Sequence, residues 1–219
     1  MTHFSSIAGK RSAADHEPAE PPALSRRAEV TRQKLLDAAE HEFSEKGFHG
    51  TGVAAIALRA GLAQGPLYIY FRSKEAIFTT LVRRISGQVR GQAADALRHG
   101  KNRLDGERIA LKTFLEFVRE HPGIYRIIQE CQFVDERVFR EYYEVLVSGY
   151  SASLERAAKA GELRPGNAKL RAWAMLGLAH FLGLRYCLWR GALPSAKEMD
   201  EAMDYVANGM GPNPGEAKR

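Results

Sequence analysis

Residues 53–71 set a small residue, Ala57, a glycine four positions on, Gly61, and an apolar residue six further, Leu67, across two short helical runs at 53–60 and 64–71. Two helices that cross steeply over a tight turn need a small side chain at the crossing. The turn needs a residue free to take a positive φ, and an apolar side chain must seat the second helix. Val53 and Ile56 supply anchors for the first run, while Leu62 and Tyr70 flank the second. The spacing predicts a helix-turn-helix.

The flanking sequence is helical on both sides. Val30, Leu35, Leu36, Ala39 and Phe43 recur at helical intervals from Arg26, and Gly47 suits the left-handed position that ends a helix. Ser73 is placed to cap a long helix with one apolar stripe, Ile77, Phe78, Leu81, Val82, Ile85 and Val89. GKNRLDGER at 100–108 reads as a loop. Further helices are expected at 107–120, 124–132, 135–160, 168–189 and 195–208, punctuated by HPG, Gly161, RPGN and GALPS. Strand-like alternation is missing, so the expected fold class is all-α, with about nine helices. It divides into a flexible tail at 1–24, a three-helix head at 25–72, a larger helical domain at 73–210 and a second tail at 211–219.

Charge is unevenly spread. The chain carries +6 overall, and residues 57–90 hold six basic side chains (Arg59, Arg72, Lys74, Arg83, Arg84, Arg90) against Glu75 alone; from Lys101 onward 18 basic residues face 16 acidic ones. A basic footprint over a helix-turn-helix is what binding to phosphates requires. Cys131 and Cys187 stand far apart with no ligand-type spacing, so no disulfide framework or metal site is expected. The absence of a secretion signal or of about 20 consecutive apolar residues points to a cytoplasmic protein with no membrane partner. Catalytic patterns fail as well. GYS at 149–151 lacks the flanking residues of a nucleophile elbow, the glycines of GMGPNPG follow a helix, and Glu198 and Glu201 read as a solvated face. No catalytic residue, cofactor or enzyme activity is expected.

The stretch from Arg27 to about Arg84, RRAEVTRQKLLDAAEHEFSEKGF, then Thr51, Val53, Ile56, Ala57, Ala60 and Gly61, and above all GPLYIYFRSKEAIF, resembles the DNA-binding domain of the TetR (tetracycline repressor) family. The resemblance covers about a quarter of the chain. It implies that Thr51 caps the second helix and touches a phosphate. Gln64, Gly65, Pro66 and Tyr68 would enter the major groove, and Tyr70 and Lys74 would meet phosphates. Two positions depart from the family pattern: Ala63 stands where Ser is common, removing a side-chain cap, and Pro66 where Thr or Ser is common, removing a hydroxyl. Proline in a first turn is tolerated because no intrahelical N–H bond is formed there.

The resemblance also implies a small-molecule effector pocket among the fifth to eighth helices and a four-helix interface between two subunits. Candidate effector contacts are Phe117, Tyr125, Arg126, Gln129, Tyr143, Trp173 and His180. The segment WAMLGLAHFLGLRYCLW is apolar on most sides and must pack on two surfaces. It offers Gly177, Phe181 and Leu184 for self-association, with Gly183 also allowing close approach, and the last helix adds Met199, Met203 and Val206. The expected protein is a homodimeric, ligand-responsive regulator, a repressor on a palindromic double-stranded operator, released by a hydrophobic or amphipathic molecule such as an acyl compound or acyl-CoA. The alternative is a constitutive architectural DNA binder without an effector.

Overall fold

The computed structural model describes residues 25–210, and the expected tails at 1–24 and 211–219 lie outside the described residues. Every regular element among the described residues is a helix: α1 (Arg26–Gly50), α2 (Val53–Arg59), α3 (Gln64–Tyr70), α4 (Lys74–Arg98), α5 (Arg103–Glu120), α6 (Pro122–Val134), α7 (Glu136–Lys159), α8 (Ala168–Leu182), a π-helical extension of α8 (Gly183–Trp189), and α9 (Ala196–Met210). The all-α fold and the helix order agree with the periodicity.

Local chemistry explains most boundaries. Ser25 accepts a hydrogen bond from Ala28 N–H at the start of α1, and α1 breaks at Gly47, whose φ of 70° a side chain would resist. Ser73, Asp135 and Asn167 cap α4, α7 and α8 in the same way as Ser25 caps α1. Ser195 and Glu198 form a reciprocal capping box before α9, Glu198 N–H donating to Ser195 Oγ at 3.2 Å and Ser195 N–H to Glu198 Oε2 at 2.7 Å. Burial is shared between two apolar clusters. One joins α1 to α4 with α6 and the first half of α7, around Phe43, Phe78 and Leu81; the other joins α5, the second half of α7, α8, its extension and α9.

Two expectations fail for identifiable reasons. The stretch 100–108 is not all loop: Asn102 Oδ1 accepts from Asp105 N–H at 3.0 Å, and α5 starts at Arg103. The two glycines of this stretch permit a close corner. A Cβ on Gly100 would lie 2.2 Å from Gly106 N, and one on Gly106 would lie 2.8 Å from Leu97 O. The expected single helix at 168–189 changes character at Gly183. Its wider turns keep both Gly183 and Cys187 facing α5, where Cys187 Sγ donates to Leu115 O at 3.2 Å.

Candidate nucleic-acid interface and effector cavity

The helix-turn-helix forms around the predicted spacing. Ala57 and Leu67 are buried, Ile56 is fully buried beside them, and Gly61 takes a φ of 72° in the turn. With Leu67 turned inward, Gln64, Gly65, Pro66, Tyr68 and Ile69 are left exposed on the outer side of α3, and Tyr70 is half-buried. Ala63 offers no side-chain cap to α3, as its methyl group dictates. All four residues of the expected groove-facing set, Gln64, Gly65, Pro66 and Tyr68, are therefore accessible.

Thr51 needs correction. Its side chain is buried, Gly52 rather than Thr51 precedes α2, and the Thr51 hydroxyl lies 2.8 Å from Gly47 O and 3.0 Å from Glu42 O. That hydroxyl closes the end of α1 and is not a free phosphate contact. Lys74 is also partly committed. Its ammonium donates to Phe48 O at 2.8 Å and Thr51 O at 3.0 Å, and stands 4.3 Å from the centre of the Phe48 ring. Of its three protons, one is left for a phosphate.

The basic footprint is smaller in space than in sequence. Arg59 and Lys46 both pair with the buried carboxylate of Glu42, Arg83 pairs with Glu141, and Arg84 pairs with Asp37 and Glu40. These contacts tie α1 to α2 and α4 to α1 and α7, consuming charge that a window of residues 57–90 counts as free. The hydrogen bonds from Lys46 and Arg59 hold the Glu42 carboxyl below the usual carboxylate range.

A further strut was not legible beforehand. Glu130 of α6 reaches the break in α1, where its Oε2 accepts from Phe48 N–H at 2.9 Å, and a Cβ on Gly47 would lie 2.6 Å from its other oxygen. The opposite end of α6 is equally close, since a Cβ on Gly123 would meet Ser44 Cβ at 2.3 Å. The segment leading into α2 is thus gripped by Glu130 on its N–H side and by Lys74 on its carbonyl side. Nothing in the sequence marks Glu130 for that role, because its partner is a main-chain group 82 residues away.

Helices α4 to α8 surround a cavity of about 790 Å³, within the range of small-molecule sites. Phe117, Tyr125, Gln129, Tyr143 and His180 line it, as expected. Arg126 and Trp173 do not: Arg126 is exposed on the outer side of α6, and Trp173 lies on the outer side of α8 with its ring 6.1 Å from that of Tyr143. Tyr125 Oη lies 2.9 Å from His180 Nδ1 and donates to His180 O at 3.1 Å, with the two rings stacked. Burial lowers the His180 pKa, which favours a neutral imidazole, and raises the phenols of Tyr125 and Tyr143. Toward the α4–α5 corner the lining changes to Arg103, Glu107 and Tyr150. Arg103 Nε donates to Glu107 Oε1 at 2.7 Å, and the Tyr150 hydroxyl donates to Glu107 Oε2. Among the described residues no group of three His, Cys, Asp or Glu side chains is placed to hold a metal ion, and no helix is long and apolar enough to cross a membrane.

The expected self-association set divides. Phe181 is 67% exposed, and Gly177 is partly exposed with no neighbouring side chain over it. Leu184 is half-buried against the second cluster. Met199, Met203 and Val206 are buried in that same cluster, so they serve the protomer's own core, and Gly183 faces Phe114 and Val118 of α5. The large apolar side chains left exposed on these elements are Leu170, Trp173, Phe181 and Trp189 of α8 and its extension, with Tyr205 of α9. In α9 the apolar stripe has a single inner use, which sequence spacing cannot distinguish from an interface.

Comparison with known proteins fits this geometry. The model of the family described as bacterial regulatory proteins, tetR family, matches residues 35–81, from the middle of α1 into α4. The HTH-type transcriptional regulator YdgC of Bacillus subtilis is 37% identical over 101 residues, 44% of this chain and 52% of that protein. The HTH-type transcriptional activator FasR of Mycolicibacterium smegmatis is 31% identical over 105 residues, 48% of each chain. The chain thus spans about half the length of these two relatives. Over the whole fold, the structure of the transcriptional regulator FadR from Bacillus subtilis in complex with stearoyl-CoA superposes with a TM-score of 0.68 at 17% identity. That match covers 81% of this chain and 98% of the other. Its helix-turn-helix segment thus matches the tetR family of bacterial regulatory proteins over residues 35–81, and its all-helical body is similar in fold to a solved transcriptional regulator.

Proposed function

We propose that the chain acts as a homodimeric repressor that binds a palindromic double-stranded operator and is released when a hydrophobic or amphipathic molecule occupies the cavity between α4 and α8. The observation that carries this reading is that α4 runs from the reading head to the cavity wall. Lys74 at its start holds the main chain before α2, while Ile85, Val89 and Arg90 further along line the cavity. A ligand that favours a different setting of α4 or α6 would change the separation of two recognition helices, which must sit about 34 Å apart to enter successive major grooves. A hundredfold loss of operator affinity needs only about 2.7 kcal/mol of differential binding.

Within the head, Gln64, Gly65, Pro66 and Tyr68 read base edges, while Tyr70 and the remaining Lys74 proton meet phosphates. The stearoyl-CoA held by FadR supports an acyl compound as one ligand to try. Self-association uses the outer face of α8, with Phe181, Gly177 and Leu184 joined by Leu170 and Trp189. Aspartate in place of Phe181 is expected to give monomers in sedimentation; an unchanged dimer would move the interface elsewhere.

The deciding experiment is selection of bound sequences from random duplex DNA by the purified protein, repeated with acyl compounds present. One palindrome, released by a ligand that also raises thermal stability, is the expected result. Sequence-blind, salt-sensitive binding with a melting temperature indifferent to every apolar ligand would establish the architectural binder instead. FasR is called an activator, so the sign of regulation is read by transcription in vitro from the selected site.

A further inference from the structure

The charges around the cavity gather toward one end. Ile124, Tyr125, Ile128, Tyr143 and His180 line it with no ionic side chain from α6 or α8 among them. The α4–α5 corner is lined by Arg98, Lys101, Arg103 and Arg156 against Glu107 and Glu162, with Arg90 about two turns back along α4. Pairing within the described residues removes part of this charge: Arg98 is 2.7 Å from Asp95, and Arg103 is 2.7 Å from Glu107. Arg90, Lys101 and Arg156 form no ion pair within the described residues, and the only acid of the lining in the same condition is Glu162. The local surplus is therefore positive.

Arg103 and Glu107 cancel one another within the wall. Their side chains are 9% and 2% exposed. Nε and Nη2 of Arg103 both lie 2.7 Å from one Glu107 oxygen, and Nη1 donates to Ser153 Oγ at 2.8 Å. The positive charge left facing the cavity is therefore that of Lys101 and Arg156, with Arg90 further back along α4.

We infer that the cavity binds an anionic amphiphile in one orientation, its carboxylate or phosphate at the α4–α5 corner beside Lys101 and Arg156, with Arg90 further back, and its uncharged tail running toward Tyr125 and His180. Fifteen residues of α5 separate Arg103 from Val118, about 22 Å of helix at 1.5 Å per residue, so the ligand is elongated. A charge at the Tyr125 end would have no counter-ion, and a cationic head at the other end would meet like charge. The inference rests on the cavity being the effector site and specifies the class of ligand it takes.

Calorimetry on the full chain with dodecanoate, dodecan-1-ol, dodecylamine and dodecanoyl-CoA, all below their micellar concentrations, tests the class. Dodecanoate or its CoA thioester is expected to bind at least about tenfold more tightly than the alcohol, and the amine most weakly; the tighter of the two anions identifies the source of the head group. The triple variant Arg90→Glu, Lys101→Glu, Arg156→Glu changes exposed positions only and leaves the buried Arg103–Glu107 pair intact. It should lose about tenfold or more of its affinity for the anion and none for the alcohol. Equal binding of all four ligands, or an equal loss for anion and alcohol in the variant, would overturn the charge assignment while leaving the effector reading in place. Binding of none of them would overturn both.

Discussion

The reading head and the helical body of this chain are built from the same element but solve opposite packing problems. In the head, Ile56, Ala57 and Leu67 are buried to 1% exposure or less, and Phe43, Phe48 and Phe78 pack ring to ring at 5.1 to 5.9 Å. In the body, five helices stand around about 790 Å³ of open space. Under the proposed function, a head that presents the outer side of a seven-residue helix in fixed register benefits from a filled core, whereas a body that receives a ligand keeps part of its interior unfilled. The difference predicts that substitutions in the two regions fail in different ways.

The largest effect is expected from Leu67→Ala. Removing a fully buried leucine costs about 2 to 5 kcal/mol, and α3 has little else to hold it. Loss of operator binding, with hydrogen-exchange protection falling in α2 and α3 and surviving in α5 to α8, is the expected outcome. Uniform loss of protection would mean that the head and body cores, joined in one apolar cluster through α4 and α6, unfold together.

Next comes the strut between the regions. Glu130→Ala removes the acceptor of Phe48 N–H and should cost about 1 to 3 kcal/mol, appearing as weaker operator binding while ligand affinity at the cavity is largely retained. Glu130→Gln still offers an oxygen and should recover most of the loss. If Glu130→Ala weakens ligand and operator binding equally, α6 acts as a general scaffold and not as a link to α1.

At the DNA surface, Gln64→Ala should cost about 1 to 3 kcal/mol at one operator position. Tyr70→Phe should weaken binding to all sequences alike and lower the salt slope. The reverse pattern in a binding-site selection would exchange their roles. Lys74→Ala no longer isolates a phosphate contact, since it also releases Phe48 O and Thr51 O. Acid should act here too. The Glu42 carboxyl is held low by Lys46 and Arg59, so its contribution is full above the ordinary carboxylate value of 4.5 and is lost as pH falls through the lower folded value. Acid titration of the wild type against Glu42→Gln, followed in the head, should show the wild type more stable above that window and the two converging as pH falls through it.

How much was readable from sequence follows the same division. Ala57, Gly61 and Leu67 were legible because a tight helix crossing restricts side-chain size and φ at fixed spacing, and Ser73 because a cap bonds within its own turn. Glu130 was not, since it takes its meaning from a main-chain partner brought near by tertiary packing. Thr51 was assigned outward and points inward, a choice that a hydroxyl beside a helix end leaves open. Met199, Met203 and Val206 show the limit of periodicity: it identifies an apolar stripe without saying whose core that stripe enters. Gly106 marks a close approach of α5 to Leu97 within a stretch whose composition reads as loop.

The smallest effect gives the sharpest test of the contrast. Ala110 of α5 lines the cavity and is not fully buried, so Ala110→Leu places extra carbons into open space and keeps a strong helix former. Each buried methylene contributes about 0.8 kcal/mol, offset by about 0.5 to 1 kcal/mol of lost rotamer freedom. The site is only half-buried, so about half of the roughly 2.4 kcal/mol for three added carbons is realised, and the net gain after that offset is expected to be about 1 kcal/mol or less, seen as a slightly higher melting temperature with operator affinity unchanged. The ligand-induced rise in melting temperature should shrink at the same time, because the added side chain and the ligand compete for one volume. A fall in stability would mean that the corner is already packed and that the space lies nearer His180. A gain in stability with an undiminished ligand response would place the ligand outside this cavity altogether.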